Sequence, residues 1–211
     1  MVMDVVAIVL FVVWFLIIFV VRSVLQKRAT GDSGIRTGGL TGGASTIEAV
    51  AGWLLVAALV AGVAAPIAAI SGFAMLIDGD TVRIFGMVVA VTGIVATFVA
   101  QVAMGSEWRI GIDKAEPTGL VTGGVFGIVR NPIFSAMILT AVGFGLLVPN
   151  VLAVAAVVLL VLAIELQVRY VEEPHLQELH AIHYRDYAAR VGRFLPGIGR
   201  NAAQQHGRST L

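Results

Sequence analysis

Five apolar blocks, each long enough to cross a lipid bilayer, limit what this chain can fold into. A helical span needs about 20 predominantly apolar residues, because each residue advances about 1.5 Å through a hydrocarbon core of about 30 Å. The blocks are residues 5–21, 49–77, 82–104, 132–148 and 151–168. Only 13% of the residues are charged, against about 25% in a soluble domain. The sequence therefore predicts an all-α integral membrane protein with about five transmembrane helices.

The blocks differ in how they begin and end. Asp4 stands where a cleaved signal peptide carries basic residues, so we expect the first helix to be retained. A loop rich in Gly, Ser and Thr is predicted over residues 22–46. Pro66 lies inside the long second block and predicts a tilted or kinked helix. Pro132 opens the fourth block, which suits the preference of proline for the first helical turn.

Residues 169–211 are too polar to span a membrane. Apolar and aromatic side chains recur at spacings of three and four residues within 172–191, which predicts an amphipathic helix that ends before Pro196-Gly197. We therefore expect one membrane-embedded domain over residues 1–196 and a flexible tail over 197–211.

Lysine and arginine lie almost entirely on one side of this topology. Loops 22–46 and 105–131 share a side with the C-terminal segment, and only Arg83 of the 14 Lys and Arg falls on the other side. Because cytoplasmic loops carry an excess of Lys and Arg, the N-terminus is predicted outside and the C-terminus in the cytoplasm. The short chain and compact loops favour a bacterial inner (plasma) membrane.

Polar residues that could support chemistry concentrate in segments 105–131 and 165–193. Both lie on the predicted cytoplasmic side, at the two ends of the hairpin formed by the fourth and fifth spans, so we expect them to meet. Arg130 belongs to the first segment, and Arg169, Glu172 and Glu173 belong to the second. Such charges are also typical of topology determinants, lipid-phosphate contacts and helix-dipole partners.

Other kinds of site have little support in the sequence. The absence of cysteine excludes disulfides, thiolate catalysis and Cys-ligated metals. Glu172 and His175 form a single Glu-x-x-His, so no metal site is predicted. Gly123-Gly124 precedes no strand, which argues against a dinucleotide-binding loop. No nucleic-acid partner is expected, and the pattern specifies no oligomeric state.

Two stretches of the chain resemble the signature of a known family. The first contains Leu120-Val121-Thr122, then Phe126, then Arg130-Asn131-Pro132-Ile133-Phe134. The second contains Arg169-x-x-Glu172-Glu173, then Tyr184-x-x-Tyr187, then Arg193-Phe194-Leu195-Pro196. Their order and spacing are similar to those of the isoprenylcysteine carboxyl methyltransferase family, which is related to the membrane phospholipid methyltransferases. The resemblance covers roughly residues 105–196.

The resemblance implies transfer of a methyl group from S-adenosylmethionine to a lipid or lipid-linked small hydrophobic acceptor at the cytoplasmic membrane face. Arg169 and Glu172 are the implied catalytic residues, with Arg169 on the substrate side. Asn131 departs from the family's usual histidine, and Phe126 and Phe134 depart from its tyrosines. The implied cofactor contacts are Thr118, Gly119, Leu120, Val121, Phe126, Arg130, Asn131, Pro132, Ile133, Phe134 and Glu173.

Two other functions stay open on the sequence alone. Sterol-reductase-like membrane proteins have a similar C-terminal hairpin and bind NADPH, whose 2′-phosphate could be met by Arg185, Arg190 and Arg193. A non-catalytic membrane scaffold is suggested by the departure at Asn131. The retained charges of the second stretch argue against that scaffold.

Overall fold

The computed structural model describes residues 1–34, 45–109 and 119–201, and 77% of the described residues are helical. Within these ranges no strand forms, and pairing between extended segments is limited to two isolated bridges. The prediction of an all-α fold is confirmed. The α-helices are α1 (Val2–Phe15), α2 (Arg22–Thr30), α3 (Thr46–Ile70), α4 (Asp80–Ala103), α5 (Pro132–Leu147), α6 (Val151–Gln167) and α7 (Glu173–Arg190).

The lengths of these helices agree with a membrane protein of about five spans. Four continuous helical stretches in the described residues are long and apolar enough to cross a bilayer: Val2–Thr30, Thr46–Ile70, Asp80–Ala103 and Val151–Arg190. The shorter apolar helix Pro132–Leu147 completes the set. The last stretch has 40 residues but is broken inside α7 at Ala181, whose φ of 41° is not helical. Residues 151–180 alone extend about 45 Å, well beyond the hydrocarbon core of about 30 Å. We therefore treat α6 as its membrane-spanning part and α7 as lying beyond the membrane.

The first helix does not end at residue 21, so the predicted start of the following loop is wrong. The chain continues through a π-helical turn, Leu16–Val21, into α2. Two polar side chains of α2 are buried with partners: Arg22 Nη2 donates to the carbonyl of Gly105 at 2.7 Å, and Gln26 Nε2 donates to that of Ser106 at 2.7 Å. These contacts let a polar segment remain helical. Residues 35–44 of the predicted loop lie outside the described residues.

The second helix is shorter than predicted and ends at Ile70 instead of residue 77. Pro66 lies inside it, as expected. The chain then turns through Gly72, whose φ of 86° favours glycine. Beyond this turn the N–H of Leu76 donates to the carbonyl of Pro149 at 2.6 Å, so this apolar stretch packs on the α5–α6 turn.

The two ends of the bundle carry different polar groups. We call the end that holds Arg22, Arg130 and the whole of α7 the basic end, and the opposite end the far end. At the far end Asp4 is 2% exposed and forms an ion pair with Arg83. Arg83 Nε also donates to the carbonyl of Leu147 at 3.0 Å. Arg83 is the one basic residue that the sequence places on this side of the membrane, and its charge is compensated by Asp4.

Helices α4 and α5 approach each other at backbone distance because small residues line their contact. The buried residues of α4 include Gly86, Ala90, Gly93 and Thr97, and those of α5 include Ala136, Thr140 and Gly143. Lipid tails are as apolar as leucine, so helices in membranes associate through such close packing. The pair fixes α5, whose N-terminus leads directly into the polar site.

We expect Gly143→Ala to destabilise the bundle by about 1–3 kcal/mol, the usual cost of overpacking. A Cβ at residue 143 would lie 2.6 Å from the Cα of Ala90, so the two helices would have to separate. Gly145→Ala is the control on the same helix, because its nearest neighbour would be the Val157 side chain at 3.5 Å. Thermal unfolding in detergent measures both variants, and equal Tm values would contradict this account of the packing.

Candidate functional site

The polar site is assembled where the start of α5 meets the segment that follows α7. The N–H of Arg130 donates to the carbonyl of Gly192 at 2.8 Å, and the N–H of Asn131 donates to that of Arg193 at 3.1 Å. The side-chain amide of Asn131 donates to the same Arg193 carbonyl at 3.2 Å. These bonds join the two signature stretches. The prediction that the two polar segments meet in space is confirmed.

Glu173, the first residue of α7, is 7% exposed and lies between two arginines. Its Oε1 accepts from Arg130 Nη2 and from Arg193 Nε, each at 2.7 Å. Its Oε2 accepts from Arg193 Nη2, also at 2.7 Å, so Arg193 binds in a bidentate manner. Burial alone would raise the pKa of Glu173, but the hydrogen bonds from Arg193 and Arg130 hold this pKa below its usual value. The carboxylate is therefore ionised at neutral pH.

Arg130 also holds the end of α7 in place. Its Nη1 donates to the carbonyls of Ala188 at 3.0 Å and Val191 at 2.6 Å. Its Nη2 reaches the carbonyl of Gly199 at 3.1 Å. The carbonyls at the end of a helix lack intrahelical hydrogen-bond partners, and Arg130 donates hydrogen bonds to some of these carbonyls. Its Nε is buried and has no hydrogen-bond partner among the described residues.

Residues 197–201, assigned to a flexible tail on the sequence, are packed against this site. Besides the bond from Arg130 to Gly199, the N–H of Arg193 donates to the carbonyl of Ile198 at 2.8 Å. The N–H of Asn201 donates to that of Ala188 at 3.0 Å. The remainder of the predicted tail, residues 202–211, lies outside the described residues.

Two tyrosines of α7 lie beside the short helical turn Gly124–Gly127, which we call the signature turn. Tyr187 Oη donates to the carbonyl of Phe126 at 2.6 Å, and its ring contacts Tyr184 edge-on with centroids 6.2 Å apart. Leu120 packs against the same cluster. Burial raises the pKa of Tyr187 to about 12, so its hydroxyl stays a neutral donor. The turn is thereby held against α7, beside Glu173.

The segment before this turn offers free backbone groups. The N–H of Gly119 donates to Glu107 Oε2 at 2.7 Å. The N–H groups of residues 120–123 form no hydrogen bond with any described residue, and the space beside Gly123 and Gly124 is open. Backbone polar groups require partners when they are removed from water. Segment 119–124 can therefore bind the polar parts of a ligand. Thr118 lies outside the described residues.

Three of the predicted cofactor contacts, Pro132, Ile133 and Phe134, lie at the start of α5. Pro132 is buried at the first position of the helix. Ile133 and Phe134 pack against an apolar cluster in the bundle core, and Phe134 also reaches a second such cluster. Ile133 and Phe134 therefore contribute to the bundle core, and the second cluster that Phe134 reaches includes Phe194, next to Arg193.

The two predicted catalytic residues lie beside the cluster. Arg169 is half exposed and pairs with Glu165, one helical turn earlier, and the charge of Glu165 acts on Arg193. Glu172 directly precedes Glu173. Burial, together with the charge of Glu173, raises the pKa of Glu172 to about 7, against the opposing effect of a hydrogen bond from Gln167. The site thus holds one ionised carboxylate and one that titrates near neutrality.

Some residues of the site were not predicted as such. Arg193 entered the sequence analysis only as part of a motif and as a possible phosphate contact, although its place in Arg193-Phe-Leu-Pro196 was the available signal. Tyr187 was part of the Tyr-x-x-Tyr motif, and nothing in the sequence indicated that its partner is a backbone carbonyl. Gly192 carried no signal at all.

The fold is that of an integral membrane protein, and its polar site lies at the basic end. Residues 81–182 match the model of a family described as phospholipid methyltransferase, a segment that runs from α4 into α7 and covers just under half of the chain. Over this segment the chain is similar to a family of membrane methyltransferases. The family resemblance stated from the sequence is confirmed. No curated protein matches the chain.

Proposed function

We propose that this protein transfers a methyl group from S-adenosylmethionine to a lipid or lipid-linked small hydrophobic acceptor at the cytoplasmic face of a bacterial inner membrane. The observation that carries the proposal is the set of N–H groups at residues 120–123 that have no partner among the described residues. They precede a turn that Tyr187 holds against α7, near the cluster of Arg130, Glu173 and Arg193. The family match supports methyl transfer to lipid-like acceptors.

The residues of the site fit this cofactor. The N–H groups of residues 120–123, which have no partner among the described residues, supply backbone donors. The unpaired Nε of Arg130 is a buried donor that suits a carboxylate. Glu173 accepts three hydrogen bonds, and because a carboxylate has about four acceptor positions, it retains capacity for an ammonium. When bound, S-adenosylmethionine supplies a methyl group on a positively charged sulfur, which a nucleophile displaces in line.

The chain's own task is to align an acceptor with that methyl group and to exclude water. Arg169 can orient an anionic acceptor, because its guanidinium is half exposed and only Nε is used by Glu165. Glu172, with a pKa of about 7, can take a proton from an alcohol or a protonated amine. A carboxylate acceptor would need no such base.

The orientation and extent of the protein belong to the same proposal. The basic end faces the cytoplasm, since it gathers the loops that carry Lys and Arg. The N-terminus then lies outside and the C-terminus inside. The membrane-embedded domain is single and includes residues 197–201, which contact Ala188 and Arg130.

The reductase alternative fits the structure less well. Arg193, one of the three arginines available for a 2′-phosphate, is bound in bidentate manner by Glu173. Arg190 Nε donates to the carbonyl of Asp186 at 3.2 Å. The family match also favours a methyltransferase over a reductase or a scaffold.

Calorimetry on the purified protein in detergent tests the cofactor. We expect S-adenosylmethionine to bind and NADPH not to compete with it. Val121→Trp, which places a large side chain on segment 119–124, should weaken binding at least tenfold. Ile128→Trp is the matched control, because Ile128 is 58% exposed and lies beyond the signature turn. Binding of NADPH alone, or no binding of S-adenosylmethionine by folded protein, would refute the proposal.

The pH dependence of turnover reports on the acceptor. If the acceptor must lose a proton, Glu172 is active as a base when ionised, so kcat/KM should rise with pH and level off above its pKa of about 7. Glu172→Gln should lower the rate by about 10²–10⁴-fold and flatten the profile. Glu178→Gln, an exposed position on α7, is the control. A wild-type profile that is flat through neutrality would show that Glu172 is not a base.

A further inference from the structure

The chain after α7 forms a tight turn, residues 195–198, with two exposed apolar side chains. The N–H of Ile198 donates to the carbonyl of Leu195 at 3.1 Å, which closes the turn. Pro196 and Gly197 lie between them, and the φ of Gly197 is 76°, so the sequence is that of a type II turn. Leu195 is 57% exposed and Ile198 is 63% exposed. Turn 195–198 therefore presents an apolar tip.

The start of α5 shows at what depth this turn lies. Ser135 Oγ donates to the carbonyl of Phe194, the residue before the turn, at 2.7 Å. Helices α4 and α5 run antiparallel, with Gly143 of α5 against Ala90 of α4. Continued by eight residues, this register puts Ser135 level with Phe98, five residues before the end of α4, which is about 7.5 Å along the helix. The turn therefore begins level with the apolar part of the bundle and not above the membrane.

Phe194 anchors the turn to the membrane-spanning helices. Its side chain packs against an apolar cluster in the bundle, whose buried members are Ala58, Leu160, Ile164 and Val168. All four lie in helical stretches that are long and apolar enough to cross a bilayer. The residue that leads into the turn is thus held among side chains at membrane depth.

The backbone around the turn is paired within the protein. Besides the bond that closes the turn, the N–H of Arg193 donates to the carbonyl of Ile198 at 2.8 Å. The carbonyls of the three residues before the turn all accept hydrogen bonds from residues 130–135, and Pro196 has no N–H to satisfy. Backbone groups near hydrocarbon need such internal partners, because lipid tails offer none. This pairing suits a turn at the edge of the hydrocarbon core.

Arg200 places a guanidinium beside the turn. Its Nη2 is 3.4 Å from the position that a Cβ on Gly197 would occupy, and the residue is exposed. Its side chain forms no ion pair with any residue that the structure describes. A guanidinium binds phosphate oxygens through paired hydrogen bonds, and phosphate is the anion that a bilayer presents next to its hydrocarbon core.

We propose that turn 195–198 inserts into the phospholipid leaflet at the basic end, with Leu195 and Ile198 among the acyl chains and Arg200 on a lipid phosphate. Apolar side chains that enter the boundary between head groups and acyl chains, together with basic residues that contact the head groups, are typical of segments that lie in a membrane interface. The chain beside the turn also supplies carbonyls to Arg130. Insertion therefore brings one wall of the polar site to the lipid, whatever reaction the site performs.

Site-directed spin labelling of the full-length protein tests the insertion, since the chain has no cysteine of its own. Leu195→Cys and Ile198→Cys are labelled with a nitroxide in vesicles of phosphatidylcholine and phosphatidylglycerol. Val95→Cys, at a position 56% exposed on membrane-spanning α4, is the lipid reference, and Glu178→Cys, at an exposed position on α7, is the water reference.

Electron paramagnetic resonance measures how often each label collides with a water-soluble nickel chelate and with oxygen. We expect nickel collisions to be about tenfold rarer at residues 195 and 198 than at 178, because a polar complex is excluded from hydrocarbon. Oxygen collisions should approach those at residue 95. Nickel collisions as frequent at both turn positions as at residue 178, in variants whose circular dichroism is helical, would overturn the proposal.

The same label at residue 198 then tests the phosphate contact. Arg200→Glu puts a charge beside the turn that lipid phosphates repel, so the label should move outward and its nickel collisions should rise severalfold. Arg185→Glu makes the same change of charge at an exposed position of α7 outside the turn and should leave the label unchanged. An unchanged label in Arg200→Glu, or an equal shift in both variants, would overturn the contact between Arg200 and phosphate.

Discussion

Glu173→Gln is expected to destabilise the protein by about 3–5 kcal/mol, the usual cost of removing one member of a buried ion pair. The change would leave the guanidinium groups of Arg130 and Arg193 without the carboxylate that they share, and their side chains are only 2% and 15% exposed. Because Arg130 also binds the end of α7, the whole basic end should loosen. A loss of this size corresponds to a fall in Tm of about 10 °C.

Glu172→Gln is the matched control for this experiment. Burial already disfavours the ionised form of Glu172 and raises its pKa to about 7, so a neutral side chain should be tolerated or slightly stabilising at pH 8. Glu173 behaves in the opposite way, because its pKa is lower in the folded protein than in the unfolded chain. Its contribution to stability is therefore fully present above the pKa of the unfolded chain, and it is lost as the pH falls through the pKa of the folded protein. Equal Tm values for Glu173→Gln and wild type at pH 8 would contradict the proposed role of the cluster.

Gly192→Ala is expected to abolish activity and to lower stability as strongly, because residue 192 has no room for a side chain. A Cβ there would overlap the carbonyl oxygen of Leu195 and lie 2.8 Å from the nitrogen of Gly197. Those atoms belong to the backbone of a tight turn and cannot rotate away. Moving the turn would displace Arg193 and break the bond between Arg130 and the Gly192 carbonyl. We expect turnover to fall at least a hundredfold.

Gly123→Ala provides the comparison within the same site. Nothing lies within 4 Å of a Cβ at residue 123, and its φ of −91° is accessible to alanine. This variant should therefore keep the fold and most of the stability. Thermal unfolding and methyl transfer, measured on both variants, separate a steric requirement at Gly192 from a general sensitivity of the site to added methyl groups. An active Gly192→Ala protein would show that the turn can be repacked.

Much of the fold could be predicted because membrane spans follow from simple rules. Hydropathy placed α4, α5 and α6 within two residues of their observed bounds, and Pro132 marked the start of α5 correctly. The polar segment after residue 21 was misassigned because its helicity depends on tertiary partners. Arg22 and Gln26 are buried only because the chain near Gly105 supplies carbonyl acceptors, about 80 residues away.

The site was predicted only in part, because some of its contacts depend on tertiary structure. The sequence indicated that the segments containing Arg130 and Glu173 meet, since they lie at the two ends of one helical hairpin. It did not indicate that Arg193 would return to the same carboxylate, because this depends on the turn after α7. The core contacts of Ile133 and Phe134 were also not predicted, since a motif gives the order of residues but not their packing partners.

Methyl transfer by the reconstituted protein tests the central claim most directly. Vesicles made from a total bacterial lipid extract and containing the purified protein are incubated with S-adenosylmethionine labelled in its methyl group. We expect the label to appear in the organic phase with wild-type protein and Ile128→Trp, and to be greatly reduced with Val121→Trp. Unlabelled lipids after incubation with wild-type protein that is folded and binds S-adenosylmethionine would contradict methyl transfer to a membrane acceptor.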